Sequence, residues 1–332
     1  MDFNSKLLKD IVKVYGPSSN ETKIREYIIN EISDYVDELD VDALGNLIAH
    51  KRGEGKRIMI SAHMDQIGLI VTDIDNDGFL RFANIGGISP IVSHSQRVIF
   101  ENGTLGAIYS EPIEEPSKLK LENMYIDIGA FSKEEAEKRI NIGDICIYNT
   151  ELYENENVVF TSYLDDRVGC FIAIEAIKAI GEAKNDLYFV FSVQEEVGLR
   201  GAKTAAYRIN PEIGLALDVT AHGDTPKAKR FAIGLNKGAA IKVKDSSLIC
   251  HPKIREILIK LAKDNNIPYQ LEVLEHGGTD SGAIQLTREG VPSGAISIPT
   301  RYVHSTVEMA SKNDINNCTK LLINFLNEEI DI

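Results

Sequence analysis

His63 and Asp65 interrupt the apolar stretch "IMISAHMDQIGLI" at 58–70. Ionisable side chains beside a core strand are costly unless something compensates them. The same pattern recurs along the chain. "VVFTSYL" ends in Asp165 and Asp166, "YFVFSVQ" in Glu195 and Glu196, "IGLAL" in Asp218 and "AISIPTRYV" in His304. Five apolar runs thus each deliver a His, Asp or Glu at their C-terminal end. In an open α/β sheet, parallel neighbours bring those ends to one edge, where sites form. Two imidazoles and three or more carboxylates, with no thiolate, suit zinc, cobalt or manganese in a catalytic site rather than a closed structural one. Asp165, Glu196, Asp218 and a bridging hydroxide would balance two divalent ions, whereas one ion would leave surplus buried negative charge. Two ions sharing a carboxylate would each keep three protein ligands and an open position. Glu195 and Glu196 are adjacent, so in an extended segment their side chains diverge and can do different work. Asp166 and Arg167 read as support, a helix cap with a local ion pair.

The elements that must position these groups follow from periodicity. "MDFNSKLLKDIVKVYG" reads as an amphipathic helix. Ser18 and Glu21 suggest a capping box for the helix that follows. "LDVDALGNLIAHKR" reads as one strand and "KRIMISAH" as the next. From residue 68 to 156 the texture is β-rich: "DIDNDGF" marks a hairpin turn rather than a calcium loop, and "RVIFENGTLGAIYSE" is strand, Asn-Gly turn, strand. We read 68–156 as a small β domain inserted into a discontinuous α/β domain formed by 1–67 and 157–332. After Val158 strands and helices alternate, which predicts a mostly parallel, mixed sheet sandwiched by helices. "TDSGAIQLTREG" reads as a helix. The preceding "GGTDSGA" allows close backbone approach and is expected to line a substrate site, with His276 beside it.

Composition narrows the function classes. The 332 residues, 43% hydrophobic, suffice for a large core. The net charge of −14 disfavours nucleic acid and anionic membranes as partners. Four scattered cysteines without a CxxC, and an N-terminus without the regions of a signal peptide, suggest a cytoplasmic protein with reduced thiols.

The motifs "SAHMDQIG", "LDDRVG", "QEEVGLRGA", "LDV", "GGTDSGA" and "IPTRYVHS", in this order and spacing, resemble those of the tetrahedral (TET) aminopeptidases. These are cytosolic glutamyl and deblocking aminopeptidases that use cobalt or zinc, some of them once labelled endoglucanases. The resemblance implies a zinc-peptidase-like fold whose inserted β-barrel serves dimerisation or as a lid. It implies two divalent ions per subunit, zinc or cobalt with manganese also admitted. His63, Asp165 and Asp218 would hold one, and Asp165, Glu196 and His304 the other. Glu195 would be the general base, and Asp65 would orient His63. The partners implied are short peptides and further copies of the chain, in a dodecamer of dimers. A glycosidase built on two carboxylates and a catalytically silent assembly protein are the competing readings. An acidic substrate side chain would require a basic pocket, for which Lys203, Lys237 and Arg301 are the candidates.

Overall fold

The computed structural model describes residues 3–228, 231–330 and 332. In chain order, β1 (Glu38–Val41), β2 (Leu47–Lys51) and β3 (Arg57–His63) belong to the main sheet. The six strands β4 (Gly68–Ile74), β5 (Leu80–Ile85), β6 (Arg97–Phe100), β7 (Leu105–Ser110), β8 (Met124–Asp127) and β9 (Ile145–Tyr148) belong to a second. The main sheet is completed by β10 (Tyr153–Glu154), β11 (Val158–Thr161), β12 (Asp186–Ser192), β13 (Ile213–Thr220), β14 (Ala239–Lys244), β15 (Tyr269–Val273), β16 (Ser293–Arg301) and β17 (Glu308–Ser311).

The main sheet runs β1-β2-β12-β3-β13-β16-β17-β11-β10, with β14 and β15 attached beside β16. Its centre, β12-β3-β13-β16, is parallel. β17 is antiparallel to β16, and β11 is antiparallel to β17, so β11 again points the same way as the centre. All five strands that carry a polar residue at their C-terminal end therefore finish on one edge. Helices cover both faces, which is why the central strands carry almost no polar residues until they end. Every residue of β13 is buried. One face packs against helices 5–13, 164–179 and 312–327 through Leu8, Ile11, Phe171, Leu215 and Phe325. The other packs against helix 200–209 through Met59, Val190, Ala202 and Ala206.

The second sheet closes on itself as an antiparallel barrel, β4-β5-β8-β7-β6-β9, around Leu69, Val71, Val98, Ile108 and Ile126. Closure removes the exposed strand edges that a free sheet would leave. The "DIDNDGF" turn joins β4 to β5, and Asp75 accepts hydrogen bonds from the Asp77 and Phe79 N–H groups at 3.0 and 2.9 Å.

Three local expectations change. "LDVDALGNLIAHKR" is a hairpin, β1–β2, because Asp42 accepts from the N–H groups of Leu44, Gly45 and Asn46 and folds the chain back. Ser18 and Glu21 form no capping box. Ser18 donates to Asp65 at 2.6 Å, and Glu21 accepts from the backbone of Ser19 and Gln194. The helix in "TDSGAIQLTREG" is confined to Asp280–Ile284.

One surface contact gives the body an acid sensitivity. Glu154 accepts from Lys312, Lys9 and Ser5 at 2.7, 2.8 and 2.7 Å, tying β10 to both terminal helices. The Lys312, Lys9 and Ser5 hydrogen bonds lower its carboxyl to about 2. A depressed folded-state value means the stabilisation is complete above the unfolded carboxyl range near pH 4.5 and fades as pH falls toward 2. Glu154→Gln is expected to cost about 1 kcal/mol at pH 7, a cost that shrinks as pH falls through the Glu154 value of about 2. Urea titrations of both proteins across that interval measure it.

Candidate metal centre

His63 is the last residue of β3 and is 2% exposed. Its Nδ1 lies 3.1 Å from the backbone carbonyl of Asp65 and 3.4 Å from the Asp65 carboxylate. In the neutral ring those two acceptors favour the proton on Nδ1, which would leave the Nε2 lone pair for a cation. Nε2 lies 3.0 Å from Asp165 Oδ1 and 3.9 Å from both Glu195 Oε2 and Asp218 Oδ1. On the far side, His304 Nε2 lies 3.1 Å from Asp165 Oδ2 and 3.2 Å from Glu196 Oε2. The structure thus brings His63, Asp65, Asp165, Glu195, Glu196, Asp218 and His304 together. The two Asp165 oxygens face opposite imidazoles.

The backbone takes unusual shapes to do this. Gln194, just before the two glutamates, and His304 itself sit in the left-handed region, as does Tyr163 two residues before Asp165. Each such non-glycine residue costs on the order of 1 kcal/mol or more, tolerated where the surroundings over-determine it. The Asp65 carboxylate accepts from the Glu195 and Glu196 N–H groups at 2.9 and 3.3 Å and from Ser18, so it braces the glutamate turn as much as it orients His63. Asp166 accepts from the Gly169 N–H and caps the helix proper. Arg167 is fully buried and donates to the carbonyls of Ile11 and Gly16 and to the Gln66 side chain, rather than forming the local ion pair expected.

Two contributors were missed in the sequence. Glu308, 1% exposed at the start of β17, accepts from the Asp165 N–H with one oxygen (3.1 Å) and from the His304 N–H with the other (2.7 Å). Burial and the nearby Asp165 push its carboxyl up to about 8. The loop leaving β5 of the barrel is the second. A Cβ on Gly87 would lie 2.7 Å from His304 Nδ1, and one on Gly86 would lie 3.1 Å from Glu196 Oε2. Only glycines let the barrel reach this close. Gly87→Ala is expected to push the His304 ring aside and lower kcat/KM about 10–100-fold with an unchanged Tm, read by kinetics beside thermal melts.

The electrostatics test whether cations fit. Burial raises Glu195 and Asp218 well above the usual carboxylate range. Glu196 is raised by burial and by Asp165. Burial opposes charge on the imidazoles, yet Glu195 and Asp165 raise His63, and Asp165 and Glu196 push His304 up to about 12. The cluster gathers protons because it has more buried negative charge than partners for it. Buried Asp166 Oδ2 has no hydrogen-bond partner at all. Two groups among the described residues, His63–Asp165–Glu196 and His63–Asp166–Asp218, have ligand atoms within 4.8 Å of one another. The donors are nitrogen and oxygen only. Divalent cations would keep these carboxylates ionised, so the residues fit a metal centre.

Asp165, Glu195, Glu196, Asp218 and His304 line a cavity of about 830 Å³, which His276 and the Gly277–Gly278 pair of "GGTDSGA" also line.

Residues 45–321 match the M42 glutamyl aminopeptidase family model. The chain is 38% identical over 338 residues to the lysyl aminopeptidase of Pyrococcus furiosus, covering 97% of this chain and 96% of that one. An aminopeptidase of Desulfurococcus kamchatkensis superposes with a TM-score of 0.94 at 39% identity, covering 97% of this chain and 94% of its own. The TET1 peptidase of Pyrococcus horikoshii, described as able to assemble into a tetrahedron or a large octahedral shell, superposes with a TM-score of 0.88 at 36% identity, covering 97% and 99%. With a mixed α/β sheet, a closed barrel insert and a His/Asp/Glu cluster at the sheet edge, the chain belongs to the M42 glutamyl aminopeptidase family and is a metallo-aminopeptidase.

Proposed function

We propose that the chain removes N-terminal residues from short peptides with two divalent ions, zinc or cobalt, in its cluster. The observation that carries this reading is the Asp165 carboxylate, whose oxygens face His63 at 3.0 Å and His304 at 3.1 Å. His63, Asp165 and Asp218 hold one ion. Asp165, Glu196 and His304 hold the other. Bound there, the ions supply Lewis acidity, which makes water acidic enough to ionise near neutral pH and polarises a peptide carbonyl.

The protein's own groups do the rest. Glu195 faces the cavity next to the cluster. It takes the proton of the attacking water and returns it to the leaving amine. Asp65 keeps the Glu195 backbone and the His63 ring in register. Glu308 does the same for the backbone of Asp165 and His304. A glycosidase would give His63 and His304 no task.

Elemental analysis of the purified protein, run beside hydrolysis of an aminoacyl-amide panel with and without chelator, tests this. Two equivalents of metal with chelator-sensitive amide cleavage is expected. Metal-independent release of sugar from a β-glucan overturns it. We propose an assembly like that of the TET peptidases, a dodecamer built of dimers, with segment 68–156 as the dimerisation or lid domain, in the cytoplasm, consistent with four buried free cysteines. Light scattering near twelve times the 36.8 kDa chain mass is the expected result.

A further inference from the structure

Asp280 opens the short helix Asp280–Ile284 and is 2% exposed. Its Oδ2 accepts from the Ser61 hydroxyl at 2.6 Å and from the Ser192 hydroxyl at 2.5 Å. Ser61 stands two residues before His63 in β3, so the two side chains share a face of the sheet. Ser192 ends β12, pairs in register with His63 and precedes Glu195 by three residues. The carboxylate thus sits behind the two strand ends that deliver His63 and Glu195. Hydroxyl bonds this short are typical of an ionised acceptor. Yet the charge has no cation of its own. Oδ1 is buried without a hydrogen-bond partner, and among the described residues no lysine or arginine pairs with Asp280. Glu272 and Asp245 are the contrast, buried beside Lys242 at 2.8 and 3.1 Å. Burial raises the Glu195 and Asp218 carboxyls, and the charge of Asp280 adds to that rise, so its field reaches the cluster.

Resting on the metal-centre reading above, we propose that Asp280 is a positioning residue for the cations: a fixed negative charge behind the cluster that tightens their hold although it belongs to neither ligand group. A buried carboxylate without a counter-ion is costly. Cations among His63, Asp165, Glu196 and Asp218 supply the positive charge that no side chain beside Asp280 does. The two serine hydroxyls keep the charge in place and stabilise its ionised form, while burial keeps water from screening it. The effect therefore has two signs. With cations bound the charge stabilises the centre, and without them it burdens the fold.

The test is zinc affinity, by competition with a chelating indicator, beside the Tm of the metal-free protein. Asp280→Asn keeps the size of the side chain and one oxygen for the serine hydroxyls, and removes the charge. It is expected to weaken zinc binding about 10-fold or more, while the metal-free variant melts no lower than the metal-free native protein, because it sheds a buried charge that had no partner. A merely structural tie would lower both. Ser61→Ala is the milder second variant should the first not fold. It strips one of the bonds that keep Asp280 ionised and is expected to cost about threefold or more in zinc affinity, again without a fall in metal-free Tm. Unchanged zinc affinity in the variant that folds overturns the proposal and leaves the aminopeptidase reading intact. A metal-free Tm that falls together with the affinity does the same, since Asp280 is then a structural tie. Native protein that takes up neither zinc nor cobalt overturns both.

Discussion

Glu195→Gln is expected to bind its full complement of metal and to turn over about 1,000-fold more slowly than the native protein. The amide occupies the same volume and keeps the backbone N–H that Asp65 accepts, so the turn at 194–196 survives. What it loses is the ability to accept a proton. The effect falls on kcat, because the transferred proton matters in the transition state and not in substrate binding. The loss is not rescued at any pH. A variant retaining near-native kcat removes Glu195 from the mechanism, and one that loses metal instead makes it a ligand.

Asp165→Asn is expected to be more severe and to act by another route. Asp165 serves both imidazoles, one oxygen to each. An asparagine has one oxygen, so its amide group must face either His63 or His304, and an amide nitrogen does not ligate a cation. The second metal equivalent is lost and activity falls by more than about 1,000-fold. Elemental analysis separates this from Glu195→Gln: one or no metal here, two there. Two equivalents in Asp165→Asn would deny the shared-carboxylate arrangement.

The strand ends were the legible part of this protein. Parallel strands buried on both faces must be apolar until they stop, so the first His, Asp or Glu after each run stands out, and His63, Asp165, Glu195, Asp218 and His304 were found that way. The barrel was legible because alternation and Asn-Gly or Asp-Gly turns are local signals. What supports the site was harder to see. Glu308 sits four residues beyond His304 in "STVEMAS", a segment with no clear period. Only the register that sets Glu308 opposite Thr161 brings it under Asp165. Lys242 in β14 is another support that the sequence does not announce. In the fold it is 1% exposed, 2.8 Å from Glu272 and 3.1 Å from Asp245, and Thr220 donates to the same Glu272. Asp280, hidden among glycines, proves to be a buried acceptor for Ser61 and Ser192 beneath the cluster. Such partners lie far apart in the chain, so no window of sequence contains both halves of the contact.

The Gly86–Gly87 loop ties the six-stranded insert to the candidate metal centre, so the barrel is not a detachable module. Its backbone fills the space against which the His304 ring rests, so trimming 68–156 to a short linker would leave that imidazole free to swing and the centre half built. Engineering that grafts a foreign barrel, or moves the junctions of segment 68–156, must therefore conserve one small patch of main chain before it can conserve any side chain.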